Sequence, residues 1–186
     1  MGLAIRGYRN LKKLNLQLNE DKEAIDPNNP NKTYDGDYVV PDKNTHFDDS
    51  YFNGLEEIPY SYDDYFRFST GSYSGYNEFR RIICRILELV PEEVNMGTIK
   101  DPKMELRVEG YYWNGNKGPF SELIHFSDCE GTIGSEVSKK LLKDFEEFKS
   151  KAEKIEDKYY LDFHENYNNW IKALTLASDN GCIIFC

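Results

Sequence analysis

Two segments rich in glycine and hydroxyl side chains precede predicted helices, and each could bind an anion. The first is residues 71–76 (Gly-Ser-Tyr-Ser-Gly-Tyr) and the second is residues 131–135 (Gly-Thr-Ile-Gly-Ser). The first backbone N–H groups of a helix have no partner inside the helix, and together with the helix dipole they favour negative charge. Glycine allows a ligand to approach closely, and hydroxyl groups add donors. The alternative interpretation is that both segments are ordinary helix caps.

Basic and aromatic residues near the two segments indicate the kind of anion. Arg67 and Arg80 could neutralise phosphate, Ser72 and Ser74 could donate hydrogen bonds, and tyrosine rings could stack on a base. The carboxylates of Glu122, Asp128 and Glu130 would accept hydrogen bonds from the sugar or the base. We therefore predict one ligand-binding cleft formed by Arg67, Ser72, Tyr73, Ser74, Tyr76, Arg80, Glu122, Asp128, Glu130 and Thr132. Further stacking candidates are Tyr111, Tyr112 and Trp113, although a single aromatic ring is more often part of a core.

A second group of residues, rich in carboxylates and histidine, could perform acid–base chemistry. Residues 125–130 are His-Phe-Ser-Asp-Cys-Glu, and residues 46–49 are His-Phe-Asp-Asp. If residues 123–126 form a strand, Asp128 and Glu130 lie at its exit, where they could bind Mg²⁺ or Mn²⁺ or divide as general acid and base. The catalytic candidates are therefore Asp128, Glu130 and His125. The alternative is that these carboxylates cap a helix and bind a ribose hydroxyl.

The composition of the chain restricts its partners and its compartment. The 186 residues have a net charge of −10, and residues 20–66 contain thirteen acidic side chains against three lysines. Such acidity disfavours duplex DNA or long RNA as a partner. No apolar run is long enough to span a membrane, no signal peptide is visible, and the four cysteines form no C-x-x-C pair. We expect a cytoplasmic protein with reduced cysteines and no cofactor.

The pattern of apolar residues predicts one α+β domain over residues 1–186. We expect a small, mostly antiparallel sheet packed with about three helices, and a long, acidic, loop-rich segment at residues 20–63. Strands are predicted at residues 2–8, 65–69, 104–113, 123–126 and 182–185. Helices are predicted from Ser74 to about residue 90, from Ser135 to residue 155, and over residues 160–177. The last two helices would pack as a hairpin or would both lie against the sheet.

Three stretches of the sequence resemble a family of uncharacterised small proteins from phage and bacterial genomes. They are the opening Met-Gly-Leu-Ala-Ile, residues 66–77 (FRFSTGSYSGYN) and residues 118–134 (GPFSELIHFSDCEGTIG). The similarity spans most of the chain except residues 15–60. The family opening is M-G-L-D-I, so Ala4 departs from the pattern. If the aspartate contributes to chemistry, Ala4 marks a natural or engineered loss of that group.

Three functions follow from these observations. The resemblance implies, by analogy, a phage counter-defence protein in the host cytoplasm that binds and sequesters a small nucleotide-derived immune signal in the predicted cleft. A second hypothesis is a phosphodiesterase that cleaves a cyclic nucleotide with Mg²⁺ or Mn²⁺ on Asp128 and Glu130 and is inactivated by Ala4. A third is an acidic protein that mimics nucleic acid through residues 20–66. The sequence leaves a homo-oligomer open.

Overall fold

The structure is a computed structural model that describes residues 2–87, 117–126, 130–156 and 162–186. These residues form eight strands, four α-helices and a short 3₁₀ helix at Asp49–Phe52. In chain order, the elements are β1 (Ala4–Arg9), β2 (Lys12–Lys13), β3 (Ile25–Asp26), β4 (Asn29–Thr33), β5 (Tyr60–Ser61), β6 (Asp64–Ser69), α1 (Tyr73–Ile86), α2 (Ser121–His125), β7 (Gly131–Gly134), α3 (Ser135–Ala152), α4 (Phe163–Ala177) and β8 (Cys182–Phe185). This architecture confirms the predicted α+β class.

Four antiparallel strands form the main sheet, in the order β6–β1–β8–β7. The register pairs Ile5 of β1 with Phe68 of β6 and with Phe185 of β8. Because side chains alternate across a strand, these three residues lie on one face of the sheet, where all of them are buried. The predicted strands at residues 2–8, 65–69 and 182–185 are therefore confirmed, with boundaries shifted by one or two residues.

Helices α3 and α4 cover this face of the sheet. They contact each other along their lengths, and α4 also packs on β1, β6 and β8, so the two arrangements predicted for this helix pair occur together. Trp170 of α4 is completely buried, and its ring lies 5.5 Å from that of Phe68 in an edge-to-face contact. The aromatic residues at helical spacing therefore form the core.

Helix α1 begins slightly earlier than predicted. Its N-cap is Ser72, whose hydroxyl accepts a hydrogen bond from the Gly75 amide at 3.2 Å, so the expectation that Ser74 caps the helix is wrong. Gly71 has a φ of 80° and turns the chain out of β6, a conformation that favours glycine. The predicted end of this helix near residue 90, the strand at 104–113 and the aromatic residues at 111–113 lie outside the described residues.

Two short elements differ from the sequence prediction. Residues 123–126, predicted as a strand, belong mostly to helix α2, because a short and mostly apolar run fits either structure and burial decides between them. Residues 131–134, predicted as a loop, form strand β7, and all four of them are buried. Gly131 has a φ of 120°, a conformation that favours glycine, and it lies in a strand and not in a loop.

The acidic segment is partly ordered by strands and by a second, smaller apolar cluster. Strands β3 and β4 form one hairpin, and β2 pairs with β5. Side chains from this segment cover part of the other face of the main sheet, in a cluster that consists of Tyr8, Leu11, Val39, Tyr60, Cys182 and Ile184. Among the described residues, no helix is both long enough and apolar enough to cross a membrane.

Candidate functional site

Two residues predicted to bind the ligand are instead part of the core. Tyr76 is 1% exposed, and its hydroxyl donates to the carbonyl oxygen of Phe126 at 2.8 Å. Arg80 is 6% exposed and donates to the carbonyl oxygen of Ile124 and to Asn77 Oδ1. Both side chains therefore fasten α1 to α2, and the expectations that Tyr76 stacks on a base and that Arg80 neutralises phosphate are wrong.

Two more predicted ligand residues are engaged within the protein. Thr132 is 2% exposed, and its hydroxyl accepts a hydrogen bond from the Asp42 amide at 3.0 Å. Glu122 forms an ion pair with Lys140 and accepts a hydrogen bond from the Ser121 hydroxyl at 3.0 Å. The buried Thr132 hydroxyl thus attaches the acidic segment to β7, which corrects its predicted contact with a ligand.

The two helices that follow the predicted anion-binding segments, α1 and α3, begin at opposite ends of the main sheet. Ser69, which leads into α1, is opposite Ala4, while Gly134, which leads into α3, is opposite Cys182 at the far end of β8. Ser72, Tyr73 and Ser74 are exposed, as the prediction requires, but the start of α3 is not beside them. The two helix starts therefore do not form one site, but Gly131, opposite Phe185, lies towards the end of the sheet where Ser69 is. The predicted cleft between residues 72–76 and residues 128–135 stays a prediction, because residues 127–129 lie outside the described residues. Asp128 lies outside the described residues.

A different set of side chains surrounds Arg67. Three side chains of β1 and three of β6 point away from the helices. They are Ala4, Arg6 and Tyr8 on β1, and Tyr65, Arg67 and Ser69 on β6. Cys186 lies next to Ala4, with which it exchanges backbone hydrogen bonds. We call these seven residues the arginine face. Arg6 and Arg67 are directly opposite each other in the register, on neighbouring strands.

The two guanidinium groups of this face lack carboxylate partners. No ion pair within the described residues involves Arg6 or Arg67, whereas Arg9, at the end of the same strand, pairs with Asp64 at 3.9 Å. Like charges directly opposite on adjacent strands destabilise a sheet. Arg6 Nε is shielded from solvent and forms no hydrogen bond with any described residue. The hydroxyl of Tyr8 raises the pKa of Arg6, so this charge is permanent.

Three tyrosine rings extend the arginine face on one side. The ring of Tyr8 lies 4.9 Å from that of Tyr62 and 5.9 Å from that of Tyr65, with which it is stacked. Tyr65 is 52% exposed, which makes it one of the most exposed large apolar side chains of the described part of the protein. The surface therefore offers two fixed positive charges beside an accessible aromatic ring, the groups that bind a planar anion.

Cys186 borders the same arginine pair. It is exposed, whereas Cys84 and Cys182 are buried. Burial of the sulfur raises the pKa of Cys186, and the charges of Arg6 and Arg67 oppose that rise. One feature of the sequence indicated this surface. Ala4, Arg6 and Tyr8 occupy alternate positions of the predicted first strand, so their side chains must lie on the same face.

His46 and His125, which belong to two separate stretches of the sequence, lie close together in the structure. His46, Phe47, Asp48, Tyr51 and His125 line a cavity of about 190 Å³ beside β7, which we call the histidine pocket. His125 reaches it from the C-terminal end of α2, and the other four residues belong to the 3₁₀ helix and the turn that leads into it. The sequence shows both stretches but carries no signal that they meet.

The metal and acid–base predictions are only partly addressed by this geometry. Glu130 is exposed, and its carbonyl oxygen accepts a hydrogen bond from Asn44 Nδ2 at 2.8 Å. Among the described residues, no three His, Cys, Asp or Glu side chains are grouped so that they could hold a metal ion. Because Asp128 is not described, binding of Mg²⁺ or Mn²⁺ by Asp128 and Glu130 stays a prediction.

Comparison with known proteins adds no identification. No protein-family model matches the chain, and no significant similarity is found among curated proteins or solved structures. Functional inference therefore depends on the two sites described above.

Proposed function

We propose that the protein binds a small, phosphate-bearing, nucleotide-like ligand on the arginine face. The observation that carries this proposal is the Arg6–Arg67 pair, two directly opposed guanidinium groups without carboxylate partners among the described residues, in a chain whose net charge is −10. Other basic side chains of the same region do have acidic partners: Lys12 pairs with Asp63 at 2.9 Å and Lys22 with Asp42 at 2.7 Å.

A phosphate between the two arginines would remove the repulsion between them. Guanidinium groups bind phosphate oxygens in a bidentate manner, and each such charge-assisted hydrogen bond contributes about 1.5–3 kcal/mol. The hydroxyl of Ser69 lies on the same side of β6, two residues from Arg67, and could donate to a third oxygen in place of its long, 3.5 Å hydrogen bond to the Leu3 carbonyl oxygen. The proposal keeps the predicted role of Arg67, which is to neutralise phosphate. Arg6 takes the place of Arg80 as the second arginine that binds it.

The tyrosines beside the arginines suit the base of a nucleotide. Tyr65 presents an accessible ring, and stacking of a base on an aromatic side chain contributes roughly 1–3 kcal/mol. Because Tyr65 is already stacked against Tyr8, its ring is held in place before a ligand arrives. This preorganisation lowers the entropic cost of binding.

We further propose that the protein sequesters this ligand and does not transform it. The seven residues of the arginine face include no histidine and no carboxylate side chain, the groups that most often transfer protons in catalysis. The resemblance to phage proteins supports a nucleotide immune signal of the host as the ligand. The metal-dependent phosphodiesterase and the nucleic-acid mimic are the competing functions.

The experiment compares cyclic and linear nucleotides by calorimetry, followed by heat release and chromatography of the bound compound. We expect Arg6→Gln and Arg67→Gln each to weaken binding about tenfold to a hundredfold. Arg9→Gln is the matched control, because Arg9 lies on the same strand but is paired with Asp64. Intact recovery of the nucleotide supports sequestration, and an altered product supports an enzyme. Equal affinity of wild type and both arginine variants would refute the site.

A further inference from the structure

We propose that the histidine pocket is a second binding site, separate from the arginine face, for a planar heterocycle that carries an exocyclic amino group, such as adenine or cytosine. The pocket lies beside β7 at one edge of the main sheet, whereas the arginine face lies on β1 and β6 towards the other edge. Its volume of about 190 Å³ is below the 300–1,000 Å³ of drug-sized ligand sites and suits a single ring system.

Aromatic rings provide the flat wall that such a heterocycle needs. The rings of Phe47 and Tyr51 are almost parallel, with an interplanar angle of 5°, and Phe47 is stacked on Phe126 at a centroid distance of 4.5 Å. Phe126 is in turn stacked on Phe185 of β8 at 4.3 Å. The wall is therefore anchored in the core, and a ring that enters the pocket meets an apolar surface whose orientation is already fixed.

Asp48 supplies the acceptor for an amino group. Its Oδ1 accepts a hydrogen bond from the Ser50 amide at 2.8 Å, and this bond lowers the pKa of Asp48, so the carboxylate is ionised at neutral pH. The charge of Lys117 also acts on Asp48 and lowers its pKa, but no basic side chain among the described residues is close enough to form an ion pair with it. An amino group of a ligand can therefore donate to an ionised carboxylate that no arginine or lysine of the described chain occupies.

His46 supplies a further polar contact, and His125 lines the same cavity. A neutral imidazole has one donor and one acceptor, which matches the ring nitrogens of a base. The turn that carries His46 is held firmly: the His46 amide donates to Asn44 Oδ1 at 2.9 Å, and Asn44 is itself bonded to the Glu130 carbonyl oxygen just before β7. His125 faces the same cavity from α2. Two rigid elements thus present imidazoles to one ligand-sized space.

The test uses free adenine and unsubstituted purine, which differ only in the amino group, as probes in calorimetry with the full chain. We expect adenine to bind at least about tenfold more tightly than purine, because only adenine has an exocyclic amino group to donate to Asp48 while its ring N–H is the same as that of purine. Asp48→Asn should abolish this preference, because it should lower the affinity for adenine and leave the affinity for purine unchanged. Asparagine is also a good N-cap, so the 3₁₀ helix should persist. Asp49→Asn is the matched control, because Asp49 is adjacent but pairs with Lys43 at 2.8 Å.

Several outcomes would overturn this proposal. Absence of binding of adenine and cytosine at millimolar concentration would do so, as would equal affinity for adenine and purine; both are measured on the unmodified chain and do not depend on the folding of a variant. Unchanged binding of adenine to Asp48→Asn would have the same effect. Arg67→Gln should leave adenine binding unchanged, and a loss in that variant would place the adenine on the arginine face.

Discussion

Gly7 of β1 and Ala173 of α4 are in such close contact that a Cβ atom on Gly7 would lie 2.5 Å from the carbonyl oxygen of Ala173. Both partners are backbone, so neither can rotate away. This contact determines how closely the helical layer approaches the sheet and therefore fixes the strand whose other face carries Arg6.

The first prediction concerns this contact. Gly7→Ala should lower the free energy of unfolding by about 3 kcal/mol, at the upper end of the usual cost of overpacking. Gly71→Ala is the control: its Cβ would meet nothing within 4 Å, so only the positive φ is unfavourable, at about 1 kcal/mol. Denaturant unfolding of both variants checks the difference. A Gly7→Ala protein as stable as the wild type would show that the layers can separate without loss.

The second prediction concerns a buried carboxylate on α3. Asp144 accepts a hydrogen bond from the Phe120 amide at 2.8 Å and pairs with Lys140 at 2.9 Å. Burial raises the pKa of Asp144 above the ordinary value of an aspartate. The native state therefore takes up a proton at a higher pH than the unfolded state does, and the charged form opposes folding at neutral pH.

We accordingly expect the wild type to gain stability relative to Asp144→Asn as the pH falls from neutrality towards the unfolded-state pKa. The gain should be complete below that value, because both states are then protonated. Urea titrations of the two proteins across this range measure the difference. Glu147→Gln, an exposed change on the same helix, serves as the control. A constant difference between wild type and Asp144→Asn would contradict a raised pKa.

The third prediction uses Cys186 as a reporter of the arginine pair. Because Arg6 and Arg67 oppose the rise of the Cys186 pKa, Arg67→Gln should raise that pKa and reduce the thiolate fraction at neutral pH. Alkylation of Cys186 by iodoacetamide, followed by mass spectrometry of the peptide that contains it, should therefore be slower in this variant. Arg9→Gln should react at the wild-type rate. Equal rates for all three proteins would mean that the arginines do not act on the sulfur.

The fourth prediction concerns Ala4, which lies on the arginine face two residues from Arg6 and diagonally from Arg67. An aspartate there can reach both guanidinium groups, since diagonal neighbours are about 7–8 Å apart. Ala4→Asp should therefore weaken nucleotide binding about tenfold by occupying the place of the phosphate. Assays with and without Mg²⁺ or Mn²⁺ should detect no cleavage. Metal-dependent cleavage that appears only in this variant would identify the chain as an inactivated phosphodiesterase.

Most of the fold could be predicted because its apolar residues are regularly spaced. Phe79 and Ile83 of α1, and Leu141 and Phe145 of α3, recur at four-residue spacing, and residues 182–185 form one apolar run. The secondary-structure predictions that were wrong concern short elements. Residues 123 and 124 fit a strand as well as a helix. Gly131 is typical of a loop, because nothing in the neighbouring sequence indicates that β8 lies beside it.

The candidate site was less predictable, since its residues meet only through strand register. Arg6 and Arg67 are far apart in the chain, and a shift of one residue between β1 and β6 would place one of them on the other face. The wrong prediction that Arg80 binds phosphate could have been avoided from the sequence. Together with Tyr76, Phe79 and Ile83 it lies on one helical stripe, so its spacing already indicated burial.

The central position of β8 in the main sheet has a consequence for synthesis of the protein. β1 pairs with β8 in a register that joins residue 5 to residue 185, and β7 has β8 as its partner in this sheet. The four-stranded sheet cannot close until residues 182–185 have left the ribosome, so β7 has no partner in this sheet before then, and β1 pairs only with β6.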